Sequence, residues 1–413
     1  MKRSPIRRLL RAAGVLGALL LVGALILLLV DVLTPAPRAD VAALGPVVQT
    51  IPDAAVTAVL AVQFRDLSQK SHHWDGDDSW LVFLDEQNRP IGHVGGTGML
   101  QGRIAAAGDT LAFAQPESFR IISGSRSPLE LPHPNDYAVA ASSSVAGSDR
   151  EAFLWTGYGP AHGLRIGHQR QPTRVNRPGP VVAAGYCGDD YYLATGQGGA
   201  DGGSRVVLER VSPGGDFEPV TSWAGSAPLA GGALPISCTD SRIRVPLHDD
   251  KDGRPASVDG HGSGVIGFRE VEVTTGASRW VPAATPVIDD RLGTALSVAG
   301  GSAAAHVGAD GVVTYLDRDD RLQRLDPAAT RPFTGARLVR SESERLEAAT
   351  LIDASRAVLA VTEHAGGADV PILATYDLAT GDQLDRTRLD WLTGTALGPF
   401  GATVTDIAVL SRH

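Results

Sequence analysis

Two short runs concentrate the side chains able to hold a metal ion. In Ser71-His72-His73-Trp74-Asp75-Gly76-Asp77-Asp78, two imidazoles stand among three carboxylates, a donor set that suits zinc or another transition metal. His72, His73 and Asp75 are the candidate ligands. Adjacent histidines on an extended chain point to opposite faces, so both reach one ion only if the loop turns sharply. A solvated polar loop is the competing reading. In His248-Asp249-Asp250-Lys251-Asp252-Gly253, followed by Asp259, the residues Asp250, Asp252, Gly253 and Asp259 fall at the third, fifth, sixth and twelfth positions of a calcium loop. The first position, His248, offers nitrogen where calcium favours oxygen, and Asp259 stands where a bidentate Glu is usual. An exposed acidic loop is the alternative there.

Other chemistries find no machinery. Gly260-His261-Gly262-Ser263-Gly264 looks like a serine elbow but departs from Gly-x-Ser-x-Gly, which puts its glycines two residues either side of the serine. The chain has no His-Glu-x-x-His, no phosphate loop ending in Gly-Lys-Ser/Thr, and no dinucleotide fingerprint after a strand. Gly95-Gly96-Thr97-Gly98 follows a strand pattern, but no helix pattern comes after it. His162, His168, His306 and His364 have no partner visible in sequence, and lone histidines are usually structural. Cys187 and Cys238 are the two cysteines. An even count outside the cytoplasm is compatible with a disulfide between them, against the alternative of two separate buried thiols.

The elements that must position these residues begin after a membrane anchor. Ala12 to Val30 is uncharged and rich in Leu, Val, Ala and Gly. As a helix it is about 28 Å long, close to the bilayer's hydrocarbon thickness. Lys2, Arg3, Arg7, Arg8 and Arg11 precede it with no acidic residue, so the positive-inside rule keeps residues 1–11 in the cytoplasm. A cleaved signal peptide shares this pattern, but the apolar run is longer than a usual signal core and the nearby junctions are poor. The expected layout is a basic cytoplasmic tail over 1–11, a transmembrane helix over 12–33, a linker over 34–50 and an extracytoplasmic domain over 51–413. This is a single-pass protein of the plasma (inner) membrane with its C-terminal domain outside. Its net charge of −9 becomes about −13 once the first 33 residues are set aside, which repels nucleic acid and anionic headgroups.

Past the anchor the pattern has a period of two, which predicts strands. Arg103 to Ala114, Pro180 to Thr195, Leu234 to Val245 and Leu346 to Thr362 read as inner hairpins. Glu117 to Leu131, Ser204 to Val220, Gly264 to Val281 and Val370 to Leu389 read as more polar outer ones. Outer hairpins begin near Trp80, Ser118, Gly163, Arg205, Val265, Val312 and Pro371, a spacing suited to propeller blades. The fold class expected is all-β, a seven-bladed β-propeller. Its first unit lacks an inner strand and Thr403 to Ser411 is spare, so the last strand is expected to pair into the first blade and close the ring.

Glu272-Val273-Thr274-Thr275-Gly276-Ala277-Ser278-Arg279-Trp280 resembles the outer hairpin Asp-x-x-Thr-Gly-x-x-x-Trp of quinoprotein-like (PQQ-type) propeller repeats, with Glu for Asp. Asp377-Leu378-Ala379-Thr380-Gly381 matches again, with Asp385 in place of the tryptophan. Asp85 to His93 and Asp317 to Leu325 keep the Asp and the turn. The resemblance covers two clear repeats and implies the propeller fold. Family members that bind the quinone use adjacent cysteines and an acidic metal cluster; this chain has no adjacent cysteines, so PQQ is not expected, while calcium or a transition metal stays open as a cofactor.

The function expected is a membrane-tethered binding or scaffold module of the bacterial cell envelope, with an envelope protein, peptide or glycan as partner. The alternative is an extracytoplasmic enzyme, a metal-dependent hydrolase or divergent quinoprotein dehydrogenase, with its site at the mouth of the channel.

Overall fold

The computed structural model describes the chain from residue 41 onward. Outside the description lie 1–40, 65–78, 95–103, 133–136, 145–150, 158–160, 167–172, 177–180, 199–203, 225–233, 250–264, 284–304, 317–319, 394–401, 411–413 and a few single positions. Alternating apolar residues broken by Gly, Asp and Ser turns fold as short strands, and seven sheets result. Sheet 1 holds β1 (Ala58–Phe64), β2 (Ser79–Leu84) and β3 (Pro90–Val94). Sheet 2 holds β4 (Ile104–Ala107), β5 (Thr110–Ala114), β6 (Ser118–Ser123) and β7 (Leu129–Pro132), and sheet 3 holds β8 (Tyr137–Ser144), β9 (Glu151–Gly157), β10 (Ala161–Ile166) and β11 (Thr173–Asn176). Sheet 4 holds β12 (Val181–Cys187), β13 (Asp190–Gly198), β14 (Ser204–Val211) and β15 (Phe217–Ala224), joined by β16 (Leu234–Pro235).

Sheet 5 follows with β17 (Ser237–Thr239), β18 (Arg242–Asp249), β19 (Val265–Glu272) and β20 (Ser278–Pro282). Sheet 6 has β21 (Ala305–Val307), β22 (Val313–Leu316) and β23 (Leu322–Leu325), and sheet 7 has β24 (Glu344–Leu351), β25 (Arg356–Ala365), β26 (Ala368–Asp377) and β27 (Gln383–Arg388). The final strand, β28 (Ala402–Ala408), returns to sheet 1 and pairs antiparallel with β1, Leu60 opposite Ile407. The expected closure is therefore the observed one, and all eight hairpins predicted by span lie in the places expected.

First strands lie side by side: β28 beside β4, β4 beside β8, β8 beside β12, β12 beside β17, β21 beside β24 and β24 beside β28, while β16 of sheet 4 lies beside β21. Fourth strands such as β20 and β27 are largely exposed. The core is distributed between successive sheets. Phe83 of sheet 1 packs with Phe113 of sheet 2, Phe119 of sheet 2 stacks on Trp155 of sheet 3 at 4.2 Å, and Leu154 of sheet 3 packs with Tyr191 of sheet 4. Taking each such side chain out of water contributes about 1.5–3 kcal/mol. The fold is an all-β propeller, six of whose sheets carry at least four strands.

Sheet 6 departs from expectation. The hairpin from Val312, expected to be outermost, sits in the middle, because 336–338 comes back outside β23: Arg321 bridges Arg337, and the Leu322 N–H donates to the Ala336 carbonyl at 3.1 Å. At the start of the chain, residues 45–48 add to the outer edge of sheet 1. The Val48 N–H donates to the His93 carbonyl and the His93 N–H to that of Pro46, at 2.8 and 2.9 Å. No helix among the described residues is long and apolar enough to cross a membrane; residues 12–33, expected to do so, lie outside the description.

Candidate functional site

The six candidate metal ligands, His72, His73, Asp75, Asp250, Asp252 and Asp259, all lie outside the described residues. Their segments occupy equivalent places in the topology: 65–78 joins β1 to β2 and 250–264 joins β18 to β19, each the connection from second to third strand. Among the described residues, no group of three or more His, Cys, Asp or Glu side chains is placed to hold a metal ion. The expectation for these six positions is neither met nor overturned.

What the described residues bring together is the opposite end of the sheets, where first strands turn into second ones. Among the described residues, four of these turns carry an aspartate: Asp109, Asp189, Asp310 and Asp353. Three of them are engaged in shaping their own turns. Asp353 accepts the Ser355 and Arg356 N–H groups at 2.7 and 3.0 Å, Asp310 accepts the Val312 N–H at 3.1 Å, and Asp109 accepts the Thr110 hydroxyl at 3.3 Å. His306 lies among them on β21, half-buried. Burial pulls its imidazole below the usual value, against the opposing charges of Asp353 and Asp310. His364 pairs instead with Asp369 at 3.0 Å across its own exposed hairpin.

The most heavily built region is the seam between sheets 4 and 5. Cys187 at the end of β12 and Cys238 on β17 form a disulfide, with their Cα atoms 5.3 Å apart. Beside it β16, the segment that leads into β17, runs parallel to β12, and the Ile236 N–H donates to the Ala184 carbonyl at 3.1 Å. Farther out, the repeat motif reaches the neighbouring sheet. Gly276 takes φ +69°, a left-handed conformation, and a Cβ there would sit 2.7 Å from the Val220 carbonyl of β15; only glycine lets the turn close against sheet 4. Trp280 lies over Gly267, and Arg269 stands between the rings of Trp223 and Trp280 at 5.8 and 5.9 Å. These cation–π contacts join adjacent sheets. The Trp of the motif therefore fills space between blades, as its type predicts.

One step inward, Glu270 is buried and accepts Arg244 Nε at 3.0 Å and Arg279 Nε at 2.8 Å. Burial alone would raise its carboxyl, and the hydrogen bonds from Arg244 and Arg279 outweigh that, holding it below the usual glutamate value. Sequence reading missed this group. Its signal was the alternation of Arg242 and Arg244 on β18 with Glu270 and Glu272 on β19 and Arg279 on β20, which the register places opposite one another.

These features define a closed all-β propeller with acidic turns at one end and a fastened seam. No family model matches the sequence, and no curated protein matches it. Among solved structures it is similar to a quinoprotein alcohol dehydrogenase-like protein of Bacteroides thetaiotaomicron, at 10% identity over 74% of this chain and 68% of that one, TM-score 0.42. A protein from Lactobacillus plantarum shares 13% identity over 86% and 99% of the two chains, TM-score 0.43. A puromycin-hydrolyzing peptidase of Mycobacterium tuberculosis shares 14% over 86% and 55%, TM-score 0.43. The fold rests on the strand order and ring closure, not on these likenesses, which carry no argument about activity.

Proposed function

We propose that this protein is a membrane-tethered binding or scaffold module of the bacterial envelope. Residues 12–33 span the inner membrane, residues 1–11 stay in the cytoplasm, and a seven-bladed propeller related to quinoprotein-like repeats stands outside. The count of seven takes sheet 6 as a blade whose fourth strand has shrunk to the 336–338 bridge. It is supported by the side-by-side order of first strands from β28 through β17 and from β21 through β24 back to β28, with β16 of sheet 4 beside β21. The bond between Cys187 and Cys238 supports an oxidising compartment.

The observation that carries the binding reading is the employment of the described charged groups. Glu270 is committed to its arginines, Arg165 to Glu151 at 3.0 Å, Arg386 to Glu344 and Glu363 at 2.8 and 3.1 Å, and Asp377 to its own turn through the Ala379 and Thr380 N–H groups at 2.8 and 2.9 Å. These are the fittings of a rigid frame that presents loops to an envelope protein, peptide or glycan. Elemental analysis and a visible spectrum of the purified full chain test it. Absence of stoichiometric metal and of quinone absorbance is the expected result, and either one present at one equivalent moves the assignment to an enzyme. Protease digestion of intact spheroplasts that spares the propeller would refute the outward topology.

A further inference from the structure

The segment that passes from sheet 4 to sheet 5 lies inside the ring. First strands surround the channel of a propeller, and β16 is added to the inner edge of one of them: Leu234 pairs with Ala183 and Pro235 with Ala184 of β12. Its Cα atoms also come within 8 Å of those of β8 in sheet 3 and of β21 in sheet 6. A strand this close to the first strands of three sheets stands in the channel and narrows it. One residue later the chain leaves for sheet 5, where Ser237, Cys238 and Thr239 pair with Arg244, Ile243 and Arg242 of β18.

The backbone ladder that holds this segment to β12 is two pairs long, and Pro235 has no N–H to give it. The Ile236 N–H reaches the Ala184 carbonyl at 3.1 Å. Gly185 allows that approach, because a Cβ on it would lie 3.3 Å from the Ile236 nitrogen. Ile236 is buried in one cluster with Ala183 and Val245, and the buried Ser237 hydroxyl donates to the Gly311 carbonyl, in the turn from β21 to β22, at 2.9 Å. The covalent tie is the bond between Cys187 and Cys238. Both cysteines are partly exposed, at the end of the sheets that carries the acidic turns.

We propose that the Cys187–Cys238 bond is a redox latch on the channel. A dithiol protein outside the cytoplasm reduces it, residues 234–238 leave the inner edge of β12, and the channel widens between β8, β12 and β21. A thiolate of the dithiol attacks one sulfur, the S–S bond breaks and a mixed disulfide forms; the second thiol then displaces that sulfur. Two electrons and two protons end on Cys187 and Cys238, and the partner departs as a disulfide. Partly exposed sulfurs admit the attacking thiol, and so short a ladder lets the segment open while the sheets stay folded. The outward topology proposed above places the reducing partner; the latch itself rests on the seam.

The test is hydrogen exchange, read by mass spectrometry, on the purified full chain in detergent micelles with and without dithiothreitol. Reduction without denaturant should free both thiols, counted by N-ethylmaleimide labelling of a parallel sample. It should speed amide exchange roughly ten-fold or more at 236–239 and 183–187, while β25 and β26 of sheet 7 keep their protection. Cys187→Ser/Cys238→Ser should exchange as fast at these positions without reductant and show no response to it. Should that variant fail to fold, reduction of the parent chain carries the test by itself. Thiols that stay locked until denaturant is added overturn the proposal, and so does a reduced chain that keeps slow exchange at 236–239. Exchange that rises equally in sheet 7 also overturns it, because the bond would then staple the whole fold rather than gate one segment. An inward topology would move none of these readouts, so the two failures are distinguishable.

Discussion

The ring is fastened in two places by different means. Between sheets 4 and 5 the fastening is local: residues 51 apart are linked by a disulfide, a parallel backbone pairing lies above it, and Arg269 between two indoles lies outside it. In sheet 1 the fastening is remote and non-covalent. There β28 meets β1 across more than three hundred residues, Thr405 donating to the Ala61 carbonyl from 344 positions away, and buried Asp406 accepts the Ile104 N–H of sheet 2 at 2.9 Å. By the logarithmic dependence of loop closure on length, joining the remote pair costs about 2 kcal/mol more entropy than joining the local one. Covalent help thus sits at the seam with the smaller closure cost. The ends are held by hydrogen bonds and by apolar residues such as Val404, Ile407 and Ala408, all buried.

The sharpest way to break the comparison is to remove the remote fastening. A chain ending at residue 401 should lose cooperative thermal unfolding and elute as an expanded or aggregated species, because sheet 1 then exposes the edge of β1. A cooperative melt near that of the full chain would mean that β28 is dispensable. The Cys187→Ser/Cys238→Ser pair should come next, lowering stability by about 4 kcal/mol as measured by denaturant titration while keeping a single transition. Reducing agent applied to the parent chain should reproduce it.

Glu270→Gln should cost about 3 kcal/mol by the same titration, since it leaves the half-buried Arg244 beside a neutral group. Its pH dependence follows from the lowered carboxyl. Glu270 contributes fully above the ordinary glutamate value of 4.5, and that contribution is lost as pH falls through the lower folded value. The parent should therefore weaken on acidification below about 4.5, and the gap to the variant should narrow; a constant gap down the acid limb would contradict the assignment. Asp406→Ala should cost about 2 kcal/mol by leaving a buried N–H unmatched. Gly276→Ala should cost about 2 kcal/mol in melting experiments, through its left-handed turn and the new Cβ against the Val220 carbonyl.

The two fastenings also differ in how they appeared in sequence. The closure was legible: a missing inner strand before Trp80 and a spare one after Thr403 are a matched deficit and surplus, and period-two patterning locates both. The cysteines were visible as a pair, but the distance needed for a bridge depends on how β12 and β17 approach, which strand patterning does not encode. The Thr-Gly-x-x-x-Trp motif announced a turn and a tryptophan between sheets. Arg269 between Trp223 and Trp280 was hidden, because its partners belong to two sheets and their spacing depends on blade packing. Sheet 6 misled for a related reason. Asp317 to Leu325 reads like an outer hairpin by its turn, and nothing in that span signals that 336–338 will return outside it. The metal-ligand candidates lie outside the described residues, so sequence remains their only account.

Because sheet 1 joins β28 to β1, its inner strand leaves the ribosome more than three hundred residues after its other strands. Until residues 402–408 have emerged, Leu60 and Val62 of β1 have no inner neighbour, however well the intervening sheets have formed. A copy that stops before residue 402 therefore carries an unpaired strand edge open to non-native pairing, so the whole ring waits on one late segment.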